Sequence, residues 1–150
     1  MIKSLIAVLA LSTLCIPQVE ATADTYTHRD LLNQLESMGG RVYVDSALCD
    51  QYNAYGIQRG VEVHLCTAPH QGDVAEMEDT IRHEVWHIVQ ACHGGPISAN
   101  PAQAISKAYQ KGWEARNYPP DAWHHEAEAY YVAATRSAEE ISNALIKVCS

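Results

Sequence analysis

The sequence predicts an α+β domain: a short N-terminal antiparallel sheet, then a long motif-bearing helix and three further helices. Three observations predict it. Two segments, Arg41 to Ala47 (RVYVDSA) and Val61 to Thr67 (VEVHLCT), alternate with the period of a strand. From Asp73 onward, apolar residues recur at helical spacing instead. Clusters at Gly39-Gly40, Gly94-Gly95-Pro96 and Pro119-Pro120 mark the breaks between elements.

The elements follow in order. His28 to Met38 predicts a helix, with Leu31, Leu32, Leu35 and Met38 on one face and Gly39-Gly40 as its stop. Between the two strands, Tyr52, Tyr55, Gly56 and Gly60 suit a turn or a short extra strand. Pro69 to Gly72 reads as a loop. Asp73 and Glu76 have capping-box spacing at the start of the long helix. Val74, Met77, Ile81, Val85, Ile88 and Cys92 form its expected core face, and Gly94-Gly95-Pro96 ends it. Asn100-Pro101 opens the next helix, to about Lys111. A third runs from Ala122 to about Arg136. Ser137 and Glu140 form a capping box for a last helix to about Val148.

The chain has 150 residues, which suits one domain, and 47% hydrophobic residues supply a core. Net charge is −8, and the 10 Lys and Arg are scattered. Without a basic stripe, nucleic acid and anionic membranes are not expected partners. Residues 1–23 read as an export signal. Lys3 supplies the charge, Leu5 to Ile16 the apolar run, and Val19-Glu20-Ala21 or Ala21-Thr22-Ala23 the cleavage site. That run is too short to span a bilayer, so no span is expected in the mature chain, residues 24–150. The competing reading is a buried N-terminal helix. Cys15 follows bulky Leu14, a poor context for lipid attachment. The expected location is therefore secreted or periplasmic. Four cysteines remain, Cys49, Cys66, Cys92 and Cys149, and an even count in an exported domain suggests two disulfides. The expected pairs are Cys49–Cys66, closing a hairpin, and Cys92–Cys149, tying the last helix to the central one.

The central motif is His83-Glu84-Val85-Trp86-His87. Residues at i and i+4 share a helix face, about 5–6 Å apart at Cβ. Two imidazoles there can share one Zn2+ at about 2.0–2.1 Å per bond. Glu84 lies about 100° round the helix, where a carboxylate can take the proton of a zinc-activated water. For this composition the motif arises by chance in about 3% of chains, so a third ligand is needed to give it weight. His64 and His70 read as plain polar positions, and Trp86 as packing.

His93 is one candidate. The run His83-Glu84-x-x-His87-x-x-Gln90-x-x-His93 resembles the metzincin spacing, but Gln90 stands where metzincins carry Gly. The helix should therefore continue and point His93 elsewhere. The other candidate lies in AWHHEAEAYYVAA. An HExxH helix followed by Glu126-Ala127-Glu128-Ala129 resembles the gluzincin zinc metallopeptidases, in particular the HtpX-like and ImmA/IrrE-type branches. The resemblance covers roughly residues 80–93 and 123–134. It implies a small zincin-like domain with Glu126 as third ligand. Helical phase also favours Glu126, which shares a face with Trp123, Tyr130 and Ala133, over the alternative, Glu128. In those families a small polar residue usually sits four after the ligand Glu, where this chain has Tyr130. Tyr130, Tyr131 and His124 are candidate oxyanion donors. The resemblance further implies that the strand before the motif helix, Val61 to Leu65, binds an extended peptide at its edge.

The expected function is zinc-dependent peptide hydrolysis, with one Zn2+ per chain, Glu84 as general base and a peptide or protein as substrate. Oligomeric state stays open. The alternative is an inactive zinc-bearing binding or structural module of the same fold; a metal-free exported protein held by disulfides is a third reading.

Overall fold

Helix α1 (His28–Ser37) starts at a full capping box: Thr27 accepts from the Asp30 amide, and Asp30 accepts from the Thr27 amide. Leu31 and Leu35 are its buried positions. The computed structural model of the protein describes residues 26–150. The expected export signal, residues 1–23, and Cys15 lie outside the described residues.

Strand β1 (Arg41–Val44) is followed by a short helix α2 (Ala47–Tyr52), then β2 (Gly56–Arg59) and β3 (Glu62–Leu65). The sheet order is β1-β3-β2. β2 and β3 form an antiparallel hairpin, with Gly60 at φ +64° in its two-residue turn. β1 and β3 are parallel, Arg41 opposite Glu62 and Val44 opposite Leu65. The sheet is therefore mixed, not wholly antiparallel as the sequence suggested. The reason is the path through α2. It carries β2 past the central position to the far edge, and β3 returns between its predecessors. Cys49 lies in α2 and Cys66 directly after β3, so the Cys49–Cys66 bond pins this crossover to the central strand and does not close the hairpin itself. Both expected disulfides are present.

A four-residue helix α3 (Thr67–His70) takes the end of the expected strand and the first half of the expected loop, and leads into α4 (Val74–His93). Asp73 caps α4 by accepting from the Glu76 amide. Its buried apolar side chains are Ile81, Val85, Ile88 and Val89. Val74 is 70% exposed, because the first turn of α4 projects beyond the core. α5 (Pro101–Tyr109), α6 (Trp123–Thr135) and α7 (Ala138–Cys149) follow, with two 3-10 turns between α5 and α6. α7 has the full Ser137–Glu140 capping box.

The main core lies among α1, the sheet, α4 and α7, around Leu31, Val63, Val85, Ile141 and Leu145. A smaller aromatic cluster, with Trp113 and Ala127 at its centre, joins α5 to α6. α4 thus lies between α6, α7 and β2, and cleft chemistry on it is held from three sides. His64 and His70 are both buried, contrary to expectation. His64 sits on the central strand, stacked on Tyr43 and bonded to Ser46 Oγ at 2.8 Å; His70 is covered by the edge of Tyr55. No helix among the described residues is long and apolar enough to cross a membrane.

Candidate metal centre

The 20-residue span of α4 places His83 and His87 on one face, one turn apart. Their rings meet edge to face, with the two Nε2 atoms 3.0 Å apart. α6 packs across this face and delivers Glu126, whose Oε2 lies 3.3 Å from His83 Nε2 and 3.6 Å from His87 Nε2. One ligand atom from each of the three lies within 4.8 Å of the others. Tetrahedral zinc with bonds of about 2.0–2.1 Å separates its ligands by about 3.3 Å. The three donors therefore fit zinc in both chemistry and spacing. Two imidazole nitrogens and a carboxylate oxygen converge on one point, an arrangement that calls for a cation or a proton between them.

The surroundings of the cluster favour the protonated form of His87. Burial alone would lower the His87 pKa, but hydrogen bonding and charge from Glu126, with help from Glu84 and Gln90, raise it overall. Burial would raise Glu126, yet its bonds to His83 and His87 bring it down to about 2. Wherever His87 is protonated, a metal must displace that proton. Because the His87 pKa lies above its ordinary value of 6.5, the competition begins above that pH. Metal affinity is expected to fall about tenfold per pH unit, for each proton displaced, as acidity increases through this range. Zinc titrations at about pH 6, 7 and 8 check this; a flat profile would refute it.

Glu84 sits beside the cluster and is 7% exposed. Burial first, then the nearby Glu126 charge, raises its pKa, against the pull of His83, His87 and the Gln58 backbone amide. The partner on its other side is β2. A Cβ added to Gly56 would stand 2.7 Å from Glu84 Cγ and 2.8 Å from Glu84 Oε1. Glycine is what lets this strand approach the carboxylate. Gly56→Ala is expected to cost about 1–3 kcal/mol by overpacking. Thermal denaturation checks it, and an unchanged melting temperature would count against so tight a contact.

The other expected site residues are dispersed. Glu128 is buried on a different face of α6. Its carboxylate accepts from Gln90 Nε2 at 2.8 Å, the Ile97 amide at 2.9 Å and the Ser98 amide at 2.7 Å. His93 is exposed and bonds the Gly95 carbonyl. His124 Nε2 pairs with Ser98 Oγ at 3.0 Å. Tyr131 carries Lys107 over its ring, 5.4 Å from the centroid. Tyr130 does line the cleft, but its hydroxyl donates to the Lys111 carbonyl at 3.2 Å. Trp86 packs against the main core.

Two residues at this site carry no motif in the sequence. Tyr118 lines the cleft, and its ring stacks on Trp113 with centroids 5.9 Å apart. Burial first, then the Glu126 and Glu84 charges and Tyr130, push its pKa up to about 12, so the phenol keeps its proton. The only signal was Pro119-Pro120 after it, which holds Tyr118 extended at φ −135° and ψ 147°. The sequence marks Gln90 only as standing where metzincins carry Gly, yet its Oε1 lies 2.7 Å from His87 Nδ1.

The cluster opens into a cleft of about 1070 Å³, walled by β2 on one side and by Tyr118, His125 and Tyr130 on the other. No curated protein and no solved structure matches the chain. A family model described as "Domain of unknown function (DUF8637)" matches residues 23–150, and the chain belongs to that family.

Proposed function

We propose that the protein is an exported zinc metallopeptidase. The observation that carries this reading is the convergence of His83, His87 and Glu126 beside a buried carboxylate, Glu84, that is not one of the three. A purely structural zinc site closes its shell with four protein ligands, whereas a catalytic one leaves a position open. His83, His87 and Glu126 would hold the metal. Bound Zn2+ supplies Lewis acidity, lowering the pKa of a water toward about 7 and polarising the scissile carbonyl.

The chain's own residues do the rest. Glu84 takes the proton from the attacking water and returns it to the leaving amine, a task suited to a carboxyl whose pKa is raised by burial. Tyr118 donates a hydrogen bond to the oxyanion, in place of Tyr130, Tyr131 and His124, which are bonded elsewhere or turned away. β2 binds the substrate backbone. The bond from the Cys66 amide to the Tyr55 carbonyl sets the alternation of the hairpin, so Ile57 and Arg59 face β3. Gly56 and Gln58 therefore turn their backbone groups outward, where the Gln58 amide meets Glu84 and the carbonyls are left for the substrate. β3 pairs on both sides and offers no edge, so the peptide-binding role expected of it passes to β2.

Export is supported by the sequence of residues 1–23 and by two disulfides in the folded domain. The test is elemental analysis of the mature protein, purified without added metal, followed by a peptide-library digest. About one zinc per chain with chelator-sensitive cleavage is the expected result. Zinc without cleavage would leave the inactive-module reading in its place; no zinc would remove both.

A further inference from the structure

Gln90 makes hydrogen bonds on both sides of its amide. Its Nε2 lies 2.8 Å from Glu128 Oε2 and 3.1 Å from the His125 carbonyl oxygen. Its Oε1 lies 2.7 Å from His87 Nδ1. The His125 carbonyl can only accept, and the Glu128 carboxylate already accepts two other amides. The NH2 group must therefore face them, and Oε1 must face the imidazole. His87 Nδ1 then has to donate. That leaves Nε2, the atom in the three-residue cluster, with its lone pair free for a metal. Gln90 is 1% exposed, so water cannot replace any of these bonds.

We infer that Gln90 and Glu128 are positioning residues that fix His87 for metal, and that Glu128 makes the connection between α4 and α5 part of the metal site. This rests on the zinc reading above. The two carboxylates of Glu126-Ala127-Glu128 then serve one centre by different routes. Glu126 binds directly. Glu128, on another face of α6, orients Gln90, which orients His87. The same Glu128 oxygens hold the Ile97 and Ser98 amides in the α4–α5 connection. Tension on His87 is thus transmitted to that connection through two side chains. A metal that holds His87 in its bonded position also holds Gln90 against Glu128, and Glu128 against those two amides.

The experiment is zinc affinity by chelator competition for the parent, Gln90→Met and Glu128→Gln, with amide hydrogen exchange at Ile97 and Ser98 with and without zinc. Gln90→Met keeps the volume and removes the acceptor. Loss of such an orienting partner is expected to weaken zinc about 10–100-fold. Glu128→Gln should weaken it in the same direction. Zinc should slow exchange at both amides in the parent and do so less in Gln90→Met. A merely structural Gln90 would lower the melting temperature of the metal-free protein but leave zinc affinity within about twofold of the parent. That result, in a parent that binds zinc, would overturn the relay and leave the metal site standing. A parent that binds no zinc would overturn both.

Discussion

Glu84→Gln is expected to retain about one zinc per chain and to lose about 10²–10⁴-fold in peptide hydrolysis. The residue lines the same cleft as the His83–His87–Glu126 cluster but is not among its three donors. An amide of the same shape is required, because Gly56 leaves no slack on the far side of this side chain. Alanine would open a cavity and confuse packing with chemistry. Glutamine can still accept from the Gln58 amide, yet it cannot take a proton from water. Zinc content by elemental analysis and kcat on a cleaved peptide together read the outcome. Hydrolysis at the parental rate would sink Glu84 as general base. Loss of zinc would mean that Glu84 is a ligand.

Removing Glu126 attacks the other half of the site. Zinc-finger affinities correspond to roughly 3 kcal/mol per ligand, so Glu126→Ala is expected to weaken zinc by about a hundredfold. Stability follows by mass action. Zinc at about 100 times its dissociation constant adds about 2.7 kcal/mol to the parent, which is several degrees in melting temperature. At the same zinc concentration the variant should gain almost nothing. In the metal-free variant the His87 pKa should also fall, since burial then acts without the carboxylate that outweighs it. An undiminished zinc-dependent rise in melting temperature would exclude Glu126 from the centre.

The parts of this site legible in the sequence are those set by one helix at a time. His83, Glu84 and His87 follow from a four-residue repeat, and Glu126 over Glu128 from helical phase. What was hidden depends on how segments meet. Gln90 bonds His87 locally, but its purpose appears only when Glu128, 38 residues on, closes the other side. Tyr118 belongs to an irregular segment with no periodicity to aim it. The parallel β1–β3 pairing could not be read from alternation, which gives a strand's faces but not its neighbours. Val74 shows the converse error. It sits at a core-facing phase on α4, where there is no longer any core to face.

The two disulfides differ in reach, with a sequence separation of 17 for Cys49–Cys66 and of 57 for Cys92–Cys149. A chain crossing a membrane N-terminus first presents its thiols in sequence. Cys49 and Cys66 can join while Cys92 is still arriving, which removes the two nearest wrong partners. Cys92, five residues beyond His87, then waits until α5 and α6 have emerged and Cys149 follows them. On that route the helix that carries both histidines would be the last to be covalently secured. Glu126 has come out before that bond can form. In a chain exported as proposed, closure of the second disulfide would therefore follow the emergence of all three proposed ligands.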